Sequence, residues 1–187
     1  MRFVLGERLK DPEAIVDDYG GLYKWVLVWR GKDREQRKHM TAQLSDSLRY
    51  EGETLPLFTL PLNTYWTMVA TAESDGGGPE RSPSFADMGT WCWRRHTASW
   101  AIEEGHLYLI GIHATYEDGG EATLEDFFPG YPDRVFAHWY SGQLRCSRGE
   151  LLEYVHAGFG SRYEENLLID IDRGVVIAHR TTHNGEA

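Results

Sequence analysis

The sequence predicts a single α+β domain over residues 1–187, with a mostly antiparallel, strongly twisted β-sheet or partial barrel and a few short helices. Three observations predict this class. Of the 187 residues, 41% are hydrophobic and 26% are charged, as in globular proteins. Short segments rich in β-branched and aromatic residues alternate with turns that contain Gly or Pro. No repeat and no linker indicates a second domain.

The first forty residues are predicted to contain a helix and a strand. Asp11-Pro12-Glu13 has the form of a helix start, and residues 11–20 are predicted as a short helix that ends at Gly20. Residues 22–29 are rich in β-branched and aromatic side chains and are predicted as a strand. The polar residues 32–44 are either an exposed helix or a long charged loop.

The pattern after residue 46 is mainly that of β-structure. Residues 47–50 and 55–60 predict a hairpin around the turn 51–53. Pro56 and Pro61 should confine the second strand to an edge or an irregular end, because proline has no N–H to donate to a ladder.

A Gly-, Pro- and Ser-rich segment, residues 73–89, predicts a flexible loop. After it, residues 98–102 and 106–112 predict a second hairpin, and the latter strand is apolar on both faces, as a central strand would be. The remaining predicted elements are a helix over 124–128, a strand over 135–140 that continues to 146 after Gly142, a helix over 150–155, and a final hairpin of residues 166–171 and 175–180.

The charge is strongly uneven along the chain. The formal net charge is -10, and residues 51–187 carry twenty-one acids and nine bases, or -12, whereas residues 1–50 carry +2. No Lys or Arg lies between Arg95 and Arg134. This balance argues against binding to double-stranded nucleic acid and favours a basic protein partner. The alternative is a solvated acidic loop that keeps the protein soluble.

Two tryptophans and five acidic residues are the predicted partner-binding residues. Trp91 and Trp93 would project to the same side of an extended chain, next to Arg94 and Arg95. Tryptophans are common in interface hot spots, but the alternative is that both pack in the core. Contact of this segment with single-stranded nucleic acid is a third possibility, disfavoured by the net charge. The acidic candidates are Glu117, Asp118, Glu121, Glu125 and Asp126.

The sequence contains no phosphate-binding loop, no zinc-binding cysteine spacing, no His-Glu-x-x-His and no Gly-x-Ser-x-Gly motif, so no catalytic residue, metal or cofactor is predicted. An alternative function is a small-molecule-binding protein or an enzyme with a His/Tyr/Arg/Glu pocket. Gly158 and Gly160 in this region could instead be a helix C-cap and a structural turn. The pocket candidates are His138, Tyr140, His156, Arg162 and Glu164.

The two cysteines, Cys92 and Cys146, are too few for a disulfide framework and are predicted to be small, partly buried apolar residues. The N-terminal residues become charged too early for a signal peptide, and no apolar run is long enough to span a membrane. Together these features predict a cytoplasmic protein that does not bind membranes.

Three segments carry a resemblance to a known family: Tyr50-Glu51-Gly52 through Pro61-Leu62, the hairpin from Trp100 to Leu109, and residues 135–164. Their spacing resembles a family of small bacterial cytoplasmic proteins of uncharacterised activity, over most of residues 47–183. The resemblance implies no activity. In composition, the chain also resembles immunity or inhibitor proteins that neutralise a toxin or an enzyme. That resemblance implies a protein-binding module and no particular site residue.

Overall fold

The computed structural model describes residues 41–74 and 84–185. These residues belong to one compact unit. The predicted helix over 11–20, the predicted strand over 22–29 and residues 32–40 of the polar segment lie outside the described residues.

Eight strands and one α-helix make up the described part of the chain. The sheet is mostly antiparallel and twisted, as predicted, and its parallel pair is β1 with β3. In chain order the elements are β1 (Asp46–Tyr50), β2 (Glu53–Leu57), α1 (Pro61–Ser74), β3 (Thr97–Glu103), β4 (His106–His113), β5 (Val135–Phe136), β6 (Gly142–Glu153), β7 (Arg162–Asp172) and β8 (Val175–His183).

The sheet closes into a ring of paired strands. The order is β3-β1-β2-β6-β7-β8-β4-β5, and β3 also pairs with β4, so the first seven of these strands form a closed ring with β5 paired beside it. Two junctions of this ring are narrow. Strand β2 meets β6 at the single pair Leu57↔Cys146, and β4 meets β8 at the single pair His106↔Val175. Most of the second edge of β2, including Pro56, therefore lies outside a ladder, as expected for a strand with proline.

The three predicted hairpins are present. Each has a two-residue turn in which both residues have positive φ, the geometry of a type I′ turn, which matches the twist of the flanking strands. The second turn residue is glycine in every case, because glycine adopts positive φ without steric cost. The turns are Glu51-Gly52 (φ 51° and 83°), Glu104-Gly105 (49° and 75°) and Arg173-Gly174 (46° and 80°).

The core lies between the strands and the helix. Trp100 is its largest fully buried side chain, and it belongs to one cluster with buried leucines and isoleucines from five strands. Helix α1 begins at Pro61, where a missing N–H costs nothing. Its Leu62, Tyr65 and Trp66, at i, i+3 and i+4, belong to or pack against this core. Within the described residues, no helix has the length and apolar character needed to span a membrane.

Three predicted elements are wrong. Residues 150–155 contain helix-forming side chains, but Leu151 pairs with Tyr163, and this segment continues β6 because strand pairing overrides local propensity. Residues 124–128 form a single turn, closed by the bond from Phe128 N to Leu124 O at 2.8 Å, and not a helix.

The third error concerns the strand predicted over 135–140. Strand β5 ends at Phe136, and the chain then turns, with Tyr140 N donating to Ala137 O at 3.0 Å. Ladder pairing therefore stops four residues earlier than the run of β-forming side chains suggests.

Two predictions reach beyond the described residues. The single domain over residues 1–187 stays a prediction for the chain as a whole. The predicted flexible loop of residues 73–89 overlaps the end of α1 at Ser74, and its residues 75–83 lie outside the described part. On its far side Phe85 is 1% exposed and forms a β-bridge, so this end of the segment is anchored in the core.

Candidate functional site

The segment from Trp91 to His96 alternates between exposed and buried side chains. Trp91 and Trp93 are 54% and 58% exposed, whereas Cys92 is fully buried and His96 is 6% exposed. The backbone itself is folded into turns and is not the extended chain that the sequence predicts: Cys92 N donates to Gly89 O at 3.2 Å, Arg95 N donates to Cys92 O at 2.9 Å, and Arg95 has φ 59°. Both tryptophans face solvent and not the core.

A buried carboxylate holds this segment to the sheet. Asp46 Oδ1 accepts hydrogen bonds from Arg94 Nη2 at 2.7 Å and from Ala98 N at 3.0 Å, and Asp46 Oδ2 accepts one from Trp100 Nε1 at 3.1 Å. Arg94 Nη1 also donates to Leu44 O at 2.8 Å. A buried charge is stable only when it is paired and hydrogen-bonded, as this one is. Arg94 therefore has a structural role and is not available to a nucleic acid.

Gln43 and Leu44, which precede β1, form hydrogen bonds with the backbone of the two tryptophans. Leu44 N donates to Trp91 O at 2.8 Å, and Trp93 N donates to Gln43 Oε1 at 3.0 Å. The Trp91 ring lies against Gly89, where a Cβ atom would come within 2.6 Å of the indole. The backbone of both tryptophans is therefore hydrogen-bonded to the residues that precede β1.

His96 contributes to the same anchoring. Its Nδ1 lies 2.7 Å from Arg94 O, and its ring contacts those of Trp66 and Phe85. Burial lowers the pKa of His96 below its usual value, because a charged imidazolium would lose its hydration there. His96 is therefore a neutral donor that fixes the end of the segment at physiological pH.

All five predicted acidic partner-binding residues are exposed in the loop between β4 and β5. Two of them also support the loop. Asp126 Oδ2 accepts from Thr123 N at 2.7 Å and from Tyr116 OH at 3.2 Å, and the first of these bonds does most to lower the pKa of Asp126. Asp118 Oδ1 accepts from Gly120 N at 3.0 Å. The other three, Glu117, Glu121 and Glu125, are glutamates of the same loop.

The acidic loop and the segment that leads to the tryptophans are joined. Phe85 forms a β-bridge with Tyr116, and Ala86 N donates to Thr115 O at 2.7 Å. Ser84 Oγ donates to Glu117 Oε1 at 3.3 Å. Trp91 lies six residues after Phe85, so their Cα atoms are no more than about 22 Å apart. We call Trp91, Trp93, Glu117, Asp118, Glu121, Glu125 and Asp126 together the acidic–aromatic set.

The alternative pocket residues are not brought together. Tyr140 precedes Gly142, which pairs with Ile171 at one end of the β6–β7 ladder, whereas Arg162 pairs with Glu153 at the other end. Arg162 and Ile171 are nine strand steps apart, a span of roughly 30 Å. Tyr140 and Arg162 are therefore too far apart to line one small pocket.

Each of these five side chains has other partners nearby. Burial raises the pKa of Tyr140 to about 12, and its hydroxyl donates to Gln143 O at 3.2 Å. The remaining contacts are local: His138 with the Phe136 and Trp139 rings, His156 with the Tyr154 ring, Arg162 with Glu153 at 3.3 Å, and Glu164 Oε2 with Glu150 N at 2.9 Å.

Neither cysteine has the environment of a nucleophile. Cys92 and Cys146 are free and fully buried. Burial raises the pKa of the Cys146 thiol to about 12 and raises that of Cys92 as well, so both remain thiols. In the part of the chain that the structure describes, no group of three or more His, Cys, Asp or Glu side chains could hold a metal ion.

One cleft is lined by polar side chains that the sequence does not group together. It has a volume of about 220 Å³ and lies between the β1–β2 turn and β8. Tyr50 OH lies 2.7 Å from His179 Nδ1 at its side. These residues come from distant parts of the chain, and no motif connects them. The lining residues are Glu51, Arg148, Leu167, His179, Arg180 and Thr181.

Comparison with known proteins found no matching family model, curated protein or solved structure.

Proposed function

We propose that this protein is a protein-binding module of the immunity or inhibitor type, which masks a basic partner protein with the acidic–aromatic set. The observation that carries the proposal is the pair of tryptophans, each more than half exposed, on a segment held by the buried Asp46–Arg94 ion pair. Exposed tryptophans on a rigid backbone are typical binding hot spots, because little conformational entropy is lost when they bind.

The charge of the surrounding surface supports a basic partner. The five carboxylates of the acidic loop are exposed, and no Lys or Arg lies between Arg95 and Arg134. A field of one sign accelerates association with an oppositely charged protein and fixes its orientation. The tryptophans would then supply most of the affinity, and the carboxylates most of the association rate.

A cytoplasmic location is part of the proposal. It is supported by two cysteines that are free and buried, as is common in reducing compartments. The α+β class belongs to the proposal as well. It is supported by helix α1, whose Leu62 is buried in the core of the sheet.

The test is affinity capture of the tagged full-length protein from its native lysate at low salt, followed by measurement of binding to the purified captured protein. One variant is Trp91→Ala/Trp93→Ala. A second is Glu117→Gln/Glu121→Gln/Glu125→Gln, which leaves the loop-supporting Asp118 and Asp126 in place. We expect the first to weaken affinity by about a thousandfold, because two hot-spot residues are worth about 2 kcal/mol each, chiefly through faster dissociation. The second should slow association, and this difference should disappear at high salt.

Matched control variants remove an aromatic side chain or three negative charges from residues outside the acidic–aromatic set. Tyr131→Ala deletes an aromatic side chain that is 59% exposed. Glu104→Gln/Glu150→Gln/Glu153→Gln removes three exposed negative charges outside the acidic loop. Both controls should bind like the unmodified protein. The proposal would be contradicted if the tryptophan variant bound the partner as tightly as the unmodified protein does. It would also be contradicted if no stoichiometric protein partner were captured.

A further inference from the structure

His96 is a buried titratable side chain at the end of the segment that carries the two exposed tryptophans. It is 6% exposed, whereas Trp91 and Trp93 are each more than half exposed. We propose that His96 is a pH-sensitive anchor, whose protonation in mild acid weakens the attachment of segment 91–96 to the sheet. Since this switch rests on the proposed function, in which the tryptophans contact the partner, it would regulate partner binding.

The surroundings of the His96 ring suit a neutral imidazole. The ring packs against those of Trp66 on α1 and Phe85, at centroid distances of 6.4 and 5.6 Å. Neither of these rings carries a charge, and neither replaces the hydrogen bonds that water gives to an imidazolium. His96 Nδ1 lies 2.7 Å from Arg94 O. A neutral ring with its proton on Nδ1 makes this bond, so the anchor needs no charge.

The charged and titratable groups around His96 do not compensate for a proton on its ring. Arg94 repels an imidazolium and Asp46 attracts it, but Asp46 is already paired with Arg94 at 2.7 Å. Arg95, the preceding residue, is a second cation, and Cys92 is a thiol that donates to His96 O at 3.2 Å. Loss of hydration is the largest effect, so burial lowers the pKa of His96.

Opening of the segment therefore takes up a proton. While the segment is attached, the pKa of His96 lies below its ordinary value of about 6.5, and an opened segment returns the ring to water and to that value. The anchor is thus at full strength above about pH 6.5 and weakens as the pH falls. Because one proton is taken up, the open fraction should grow by up to about tenfold for each pH unit.

His106 offers a matched control, because it makes the same local hydrogen bond at a site open to solvent. Its Nδ1 lies 2.8 Å from Glu104 O, which is again the carbonyl two residues earlier in the chain. The ring lies in the β3–β4 hairpin and not in segment 91–96. His106→Asn therefore removes a titratable ring of the same local geometry and leaves the anchor unchanged.

The test measures access to the buried thiol of Cys92, with the buried thiol of Cys146 in β6 as the internal reference. The full-length protein is labelled with dithiodipyridine from about pH 7.5 to about pH 5, on both sides of the ordinary pKa of histidine. Mass spectrometry gives the labelling rate at each cysteine. Each rate is divided by the rate of the same cysteine in the urea-unfolded chain at the same pH, which removes the pH dependence of the thiol itself.

The two cysteines should differ, because local opening exposes Cys92 and only global unfolding exposes Cys146. We expect the normalised rate at Cys92 to exceed that at Cys146 over the whole range. We also expect it to rise by up to about tenfold for each unit below about pH 6.5.

Two variants separate protonation of His96 from its packing. His96→Asn keeps an N–H that can donate to the carbonyl, and His96→Phe keeps an aromatic ring, but neither side chain takes up a proton. Each variant can raise the normalised rate at Cys92, yet both should make that rate independent of pH over this range. The second variant keeps the test decisive if the first does not fold. His106→Asn should retain the pH dependence of the unmodified protein.

Three results would overturn the switch. They are a normalised rate at Cys92 that does not change with pH, a rate equal to that at Cys146, and a rise that persists in both His96 variants. None of these measurements needs a partner, so failure of the switch leaves the proposed function standing. Failure to capture a partner overturns the proposed function and leaves the opening measurable. If both hold, affinity should fall only at the pH at which the open form predominates, because the apparent Kd is the intrinsic Kd divided by the closed fraction.

Discussion

Strand β6 pairs with β7 along most of its length, yet its two halves lie in different surroundings. In the proximal half, residues 142–147, Leu144 and Cys146 are fully buried. In the distal half, residues 148–153, Leu151 and Leu152 are each 46% exposed. The ladder continues through both halves, but only the proximal half contributes to the core.

The comparison separates two causes of strand structure. The proximal half is a strand because its alternate side chains are removed from water, which is the dominant favourable term in folding. The distal half is a strand because its backbone is paired, as at Leu151↔Tyr163. Additional support comes from a side chain of the partner strand, since Glu164 Oε2 accepts from Glu150 N at 2.9 Å. Stability should therefore depend on side-chain size in one half and on backbone geometry in the other.

The largest expected difference is between two leucines. Leu144→Ala should lower the free energy of unfolding by about 2–5 kcal/mol, because it leaves a cavity in the core. Leu151→Ala should change it by no more than about 0.5 kcal/mol, because its side chain is already half in solvent. Urea unfolding followed by circular dichroism measures both. If both variants lost a similar free energy of unfolding, the side chains of the distal half would be buried in solution, and the two halves would not differ as described.

A smaller effect is expected at Gly149, in the distal half. Its φ is +77°, and an added Cβ would come within 2.8 Å of the Glu164 Cβ. Gly149→Ala should therefore destabilise the protein by about 1–2 kcal/mol, through backbone strain and displacement of Glu164. Gly119→Ala is the control, because Gly119 has φ +89° but open space around its Cβ position. Unfolding in urea should show a greater loss for Gly149→Ala, and equal losses would exclude the Glu164 contact as a cause.

The smallest effect is expected for the ion pair at the end of the distal half. Arg162 and Glu153 are both more than half exposed, so solvent screens their attraction. Glu153→Gln should change the free energy of unfolding by at most about 0.5 kcal/mol. The same urea experiment, repeated at high salt, should show no further difference between the variant and the unmodified protein. A loss well above 1 kcal/mol would mean that side chains, and not only backbone pairing, hold the distal half in place.

The distal half also shows where prediction from the sequence fails. Glu150-Leu151-Leu152-Glu153 consists of good helix formers, and the pairing that makes it a strand is decided by residues that follow it in the chain. Helix α1 was missed for the opposite reason. Pro61 indicates the irregular end of the second predicted strand, but proline is also favoured at the first position of a helix. Leu62, Tyr65 and Trp66 then follow at helical spacing.

Features decided by adjacent residues were predictable. All three hairpins follow from a glycine-containing turn between apolar segments. The cleft was not predictable, because Glu51, Arg148 and His179 meet only once the ring of strands has closed. Side chains that meet through tertiary pairing leave no local pattern in the chain.

The two narrow junctions of the ring divide it into two cooperative blocks. Strands β6, β7 and β8 form one, held together by long ladders, and β1 to β4 form the other. Within the described residues, the ladders connect the blocks at the pairs Leu57↔Cys146 and His106↔Val175, with a few further backbone bonds such as Phe58 N to Arg145 O. Separation of the blocks would break few backbone hydrogen bonds and would be opposed chiefly by the hydrophobic core that they share. Substitutions that weaken this core should therefore loosen the two blocks from each other while the strands within each block stay paired.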